Sequence, residues 1–378
     1  MVEIEIRFAT PEDADGCNEF HNRYYGSNRT VSQWRWEFCS HPHKGRVVPF
    51  VLAEVNSCVV GTQALIPIAM IDAEGVFWTA KLEETLVDPA YRGSRVFIQV
   101  YEKLLRYAEE HGLVSIWGFT PSPRAFEGLL GFQIPANTRQ LFRPLRRSSV
   151  SQLLEQYLGQ DRQKRLRVLR GPGKPLCAAA ATSVSSLIAG LRGWRPVVRG
   201  LKLETLRDAP DLGASLSARF VRQWGGATVI RDQPYLRWRL FENPYVRSTV
   251  RAASLDGQLV GWVAYALDDS SMGYLVDLLV ATEEADPRLA EKITRVLLLD
   301  AVDRLRKAGA AGIRSWHLND HPYEKVLLRA TSAAGFFRIN RGGGGMIVYP
   351  HLDVVGRPSL RSFDNWFVSR LYTEGVLG

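Results

Sequence analysis

Cysteine, methionine and lysine are scarce in this chain of 378 residues. The four cysteines, Cys17, Cys39, Cys58 and Cys177, have neither the paired spacing of a zinc site nor the density of a disulfide-stapled secreted scaffold, so a reducing compartment is expected. The segment Met1–Arg7 lacks a basic region followed by an apolar run, which makes cytoplasmic the expected localisation. No stretch offers the roughly 18 strongly apolar residues expected of a membrane span. The nearest, Pro175–Leu191, is rich in Ala, Ser and Thr and is predicted to be a small-residue helix packed on protein. The seven histidines show no metal-ligand spacing, so no metal is expected. Oligomeric state leaves no mark in the sequence.

Charge is present but modest, at +9. Such an excess suits nucleic acid, anionic lipid or a phosphorylated ligand. Only nine of the 48 basic residues are lysines, and an Arg-rich, Ala- and Gly-rich chain is as readily the mark of a GC-rich genome as of a function. Apart from knots at Arg143–Arg147 and Arg162–Arg170 the basic residues are scattered. They form no continuous stripe, so nucleic acid is not an expected partner.

The chain repeats itself. Trp34-Arg35-Trp36 through Pro42 aligns with Leu236-Arg237-Trp238 through Pro244 at an offset of 202. Val60-Gly61 aligns with Val260-Gly261, Trp117 with Trp316, and Gly131-Phe132 with Gly335-Phe336, all at nearly the same offset. Each copy reads as strand, helix, aromatic segment, hairpin, strand, amphipathic helix, strand, helix and strand, which is an α/β arrangement. The expected units are residues 1–145 and 197–350. A helical connector, 146–196, and a tail, 351–378, packed on a domain complete the chain.

The chemical signal lies at Glu83-Glu84-Thr85-Leu86-Val87-Asp88-Pro89-Ala90-Tyr91-Arg92-Gly93-Ser94-Arg95-Val96-Phe97. A strand runs into a turn with Gly and two Arg, then into a helix whose first amides are unpaired. A helix start of that kind attracts a pyrophosphate. Taken with Gly118-Phe119 and Gly131-Phe132 further on, this stretch resembles the acyl-CoA-binding core of the GNAT acyltransferase superfamily. Val87, Pro89, Tyr91, Arg92 and Gly93 match that family's turn, and the doubling resembles its two-domain members. The resemblance implies two tandem GNAT-like domains, each a mixed, mainly antiparallel sheet flanked by helices. It also implies acetyl-CoA or another acyl-CoA bound by Leu86, Val87, Arg92, Gly93, Ser94, Arg95 and Val96, with transfer to an amine of a small-molecule acceptor. The departures are Arg95 and Phe97 where the family has small residues, Thr120 or Pro121 in place of an Asn, and no tyrosine acid before Gly131.

Transfer to an amine needs a base. Glu83 and Glu84 lie on the strand beside the thioester, and by alternation only one faces the cleft. Glu84 is the favoured base because it aligns with Asp277 of copy two. Trp36, with Asn319 and Tyr323 of copy two, are candidate substrate-binding residues. Alternative readings are an aminoacyl-tRNA-dependent transferase of Fem type, or a degenerate pair serving as a scaffold. Copy two has Glu283-Glu284-Ala285-Asp286 at its turn, a sign of charge that repels pyrophosphate. The expected stoichiometry is therefore one acyl-CoA per chain, and a calorimetric value near two would contradict it.

Overall fold

The computed structural model describes residues 3–42, 47–93, 95–159, 173–339, 345–350 and 356–372. In the first copy β1 (Glu5–Phe8), α1 (Ala14–Tyr25) and α2 (Val31–Cys39) precede a long antiparallel ladder. The ladder consists of β2 (Phe50–Val55), β3 (Cys58–Asp72) and β4 (Gly75–Val87). Next come α3 (Val96–Glu110), β5 (Ser115–Thr120), α4 (Pro123–Leu130), β6 (Gln133–Asn137) and β7 (Arg139–Pro144). The second copy repeats the strands as β8 (Leu201–Thr205), β9 (Ala227–Val229), β10 (Ser248–Leu255), β11 (Gln258–Leu267), β12 (Met272–Val280), β13 (Gly312–His317), β14 (Phe337–Ile339) and β15 (Gly345–Tyr349). The hairpins correspond: Asn56-Ser57 and Asp256-Gly257 both turn with positive φ, as two-residue loops of twisted ribbons require.

The last strands are exchanged. β7, from the first copy, lies between β13 and β14 in the second sheet, and β15, from the second, lies between β5 and β6 in the first. The first sheet runs β1-β2-β3-β4-β5-β15-β6 and the second β14-β7-β13-β12-β11-β10-β8. The strand at 139–144, grouped by sequence with the first unit, thus completes the other sheet. β9 also pairs with the far end of β3, and β16 (Trp366–Phe367) of the tail pairs with β9.

A second contact ties the copies about a pseudo-twofold axis. The equivalent residues Trp36 and Trp238 stack at 4.8 Å and 19°, and Trp238 Nε1 donates to the Trp36 carbonyl at 3.0 Å. Trp36 is therefore part of the seam between the copies.

The connector forms two helices, Arg147–Gly159 and Gly173–Arg192. The second was expected to pack on protein, and its small residues do so. Ala178 is buried, and Ser185 Oγ donates to the Gly335 carbonyl at 2.7 Å. Its large apolar residues do not: Leu176, Val184, Leu187 and Leu191 are exposed. The Arg162–Arg170 knot lies outside the described residues.

Because each sheet needs a strand from the other copy, the units unfold together. Denaturant curves followed by tryptophan fluorescence and by far-UV circular dichroism are expected to coincide. Trp36→Ala shifts both curves, with a loss of about 3–5 kcal/mol.

Candidate functional site

β4 and β5 pair in parallel over Thr79–Lys81 and Ser115–Trp117, and the pairing ends there. Beyond it a cavity of about 1360 Å³ opens. Leu82–Val87 of β4 form its floor, α3 and α4 supply Phe97 and Phe126, and α1 and α2 supply His21, Tyr25 and Glu37. Phe97 and Phe126 meet edge to face at 5.4 Å, so the bulky residue at position 97 forms an aromatic wall. From the second copy Tyr245 and Ile347 reach the lining.

The floor is not a regular strand. The β3–β4 register slips between Thr62 and Ala64, and opposite the slip Glu84 has φ 59°. A non-glycine residue there costs on the order of 1–3 kcal/mol and is typical of a bulge that redirects side chains. Alternation is thereby broken, and Glu83 and Glu84 both line the cavity. Glu83 is buried in an ion pair with Lys81.

Glu84 meets Arg29 in a two-pronged pair, with Nη2 to Oε1 at 2.6 Å and Nη1 to Oε2 at 3.0 Å. Asn18 and Asn22 of α1 build the loop that aims the guanidinium: Asn18 Oδ1 accepts from Arg29 Nε at 2.9 Å, and both amides donate to the Arg29 carbonyl. One turn along α1, His21 Nδ1 lies 3.0 Å from Glu84 Oε1. Burial alone would raise the Glu84 carboxyl, but the hydrogen bond from His21 and the charge and hydrogen bonds of Arg29 outweigh it and hold it below its ordinary value. An ionised carboxylate only accepts, so Nδ1 is the donor, and in the neutral imidazole Nε2 then holds the lone pair. The sequence reading missed Arg29, His21 and Tyr245. The 202 offset, extended back five positions from Trp34, sets Arg29 over Arg231 and the helix caps Thr30 over Asp232.

Arg231 pairs with Asp277, Nε to Oδ2 at 2.8 Å and Nη2 to Oδ1 at 3.1 Å, both side chains fully buried. Trp262 Nε1 also donates to Asp277. Where β12 and β13 part, the tail fills the space: Arg370 lies over the rings of Tyr274 and Trp316, and only about 40 Å³ remains beside Phe367 and Ser369.

Of the expected cofactor-binding residues, Leu86, Val87, Arg92 and Gly93 line the cavity. Arg92 Nε donates to the Val87 carbonyl at 3.2 Å, and Gly93 has φ 86° with open space where a Cβ would be. Ser94 lies outside the described residues. Arg95, at the helix cap, turns outward to within 3.8 Å of Glu102 and does not reach the cavity. The Val96 side chain is buried against Gly61. Asn319 and Tyr323 do not border this cavity. Asn319 Nδ2 donates to the Phe363 and Trp366 carbonyls, holding the tail, and Tyr323 is buried beside Thr294 and Phe220.

No family model matches the chain, and no curated protein matches its sequence. Solved structures do match. A conserved protein of Enterococcus faecalis V583, described as a probable N-acyltransferase, superposes with a TM-score of 0.61 at 9% identity, over 92% of this chain and 72% of the other. A GCN5-related N-acetyltransferase from Anabaena variabilis gives 0.58 at 10%, over 92% and 72%. One from Kribbella flavida gives 0.54 at 13%, over 92% and 71%. At such identities the likeness is one of fold: the chain has the fold of GCN5-related N-acetyltransferases. Within it, two such units stand in tandem, each with a mostly antiparallel sheet flanked by helices.

Arg29→Met strands a buried carboxylate and is expected to lose about 3–5 kcal/mol, part of it regained in Arg29→Met with Glu84→Gln. The stabilisation from Glu84 is fully present above its ordinary value of 4.5 and fades as pH falls through the lower folded value. Urea curves of Glu84→Gln should lose that part of the acid dependence.

Proposed function

We propose that the chain is an acyl-CoA-dependent N-acyltransferase working through its first copy. One observation carries this reading: a cavity at the fork of β4 and β5 joins the Arg92-Gly93 turn to the His21–Glu84–Arg29 cluster. Its 1360 Å³ exceeds the roughly 300–1,000 Å³ of most small-molecule sites, as two substrates in one chamber demand. The residues fit an extended anionic ligand. Arg92 and the first amides of α3 would hold the pyrophosphate, Gly93 leaves its approach open, and Leu86 and Val87 would flank the pantetheine.

Bound acyl-CoA supplies a thioester carbon, to which the acceptor nitrogen bonds as the carbon–sulfur bond breaks and the thiolate leaves. His21 Nε2 takes the proton released from the nitrogen and passes it to solvent. Glu84 holds the imidazole tautomer, and Arg29 fixes Glu84. In this account Glu84 is a positioning residue and Glu83, neutralised by Lys81, has no part in proton transfer. Tyr245 donates to Glu37 at 3.2 Å and walls the acceptor end from the second copy.

Calorimetry with acetyl-CoA is expected to give micromolar affinity, weakened about tenfold or more in Arg92→Ala. Thiol release with a panel of primary amines should fall by about 100- to 10,000-fold in His21→Gln while acetyl-CoA affinity is kept. Absence of heat with acetyl-, propionyl- and long-chain acyl-CoA would overturn the reading.

A further inference from the structure

The connector helix Gly173–Arg192 is packed the wrong way round for a surface helix. Such helices turn large apolar residues inward. Here Ala178 and Ser185 face the protein, while Leu176, Val184, Leu187 and Leu191 form a stripe on the opposite side. Leu187 is 61% and Leu191 74% exposed, and Trp194, 63% exposed, continues the stripe past the helix end. Over Pro175–Arg192 the helix has the length and hydropathy of a membrane span, with 11% of it buried.

The helix is nevertheless fixed along the protein. Ser185 Oγ donates to the Gly335 carbonyl at 2.7 Å. Gly335 has φ 84°, and a Cβ there would stand 2.4 Å from the Ser185 carbonyl oxygen. A helix clamped by its small-residue face can lie on a bilayer but not cross it.

Charge identifies the surface it would meet. Between Arg146 and Pro196 the sequence has ten basic and two acidic residues, a net of +8 out of the chain's +9. Arg192, Arg195 and Arg199, at the end of the stripe, are exposed. Apolar residues in a line about 25 Å long with the exposed cations Arg192, Arg195 and Arg199 at its end match the acyl boundary and headgroups of an anionic bilayer. A second copy of the chain would bring the same positive charge against itself.

We infer that this helix docks the protein on anionic membrane surfaces. Flotation of the full chain with vesicles of equal phosphatidylglycerol and phosphatidylcholine should recover about tenfold more protein than with phosphatidylcholine alone, and high salt should reduce it. Leu187→Glu with Leu191→Glu should abolish recovery, and Arg192→Gln with Arg195→Gln should cut it severalfold, both with unchanged circular dichroism because the sites are exposed. The inference fails if neither vesicle recovers the wild type or if the double glutamate variant still floats. It fails equally if sedimentation shows a micromolar dimer that the glutamates dissolve, since the stripe then covers a second copy.

Discussion

Each sheet of this protein is closed by a strand that the other half of the chain supplies. A strand between two neighbours satisfies backbone groups on both edges, so neither half has a complete hydrogen-bonded sheet without the other. The Trp36–Trp238 stack and the pairing of β9 with β3 join the two copies further, and β16 of the tail pairs with β9. The first copy's cavity depends on it as well, because Ile347 of the exchanged strand β15 forms part of its wall.

The same buried guanidinium–carboxylate pair was kept in both copies and put to different ends. Arg231 and Asp277 are sealed among Trp262 and neighbouring backbone, where the pair serves as internal scaffold. Arg29 and Glu84 also pair two-pronged, through both Nη atoms rather than Nε and Nη2, but they border open volume, and a histidine lies against the carboxylate. Burying two charges is costly unless they satisfy each other fully. Arg29 meets that condition through Asn18 as well as Glu84, which lets a charged cluster persist in a chamber lined by aromatic rings.

Much of this was legible in the sequence. The offset near 200 gave the duplication, and setting Leu82 against Leu275, 193 positions apart, gave the equivalence of Glu84 with Asp277. Arg92 and Gly93, singled out from their turn, border the cavity. What stayed hidden depends on contacts distant in the chain. β7 and β15 read as ordinary apolar strands, and nothing in their alternation says which sheet accepts them. The bulge at Glu84 has no glycine to announce it, so strict alternation misassigned its neighbours. Asn319 resembled a substrate residue because it occupies the corresponding place, yet its amide is spent on the backbone of the tail.

That tail gives the second copy a permanent occupant. Arg370 and Phe367 lie where β12 and β13 part, the place corresponding to the open chamber of the first copy. A segment tethered to its own site acts at an effective concentration in the millimolar range or above, whatever the cell contains. A free ligand there would compete with a rival that never dilutes. The acidic turn of that half, Glu283 to Asp286, is consistent with a space that holds the chain's own tail and not an anionic ligand.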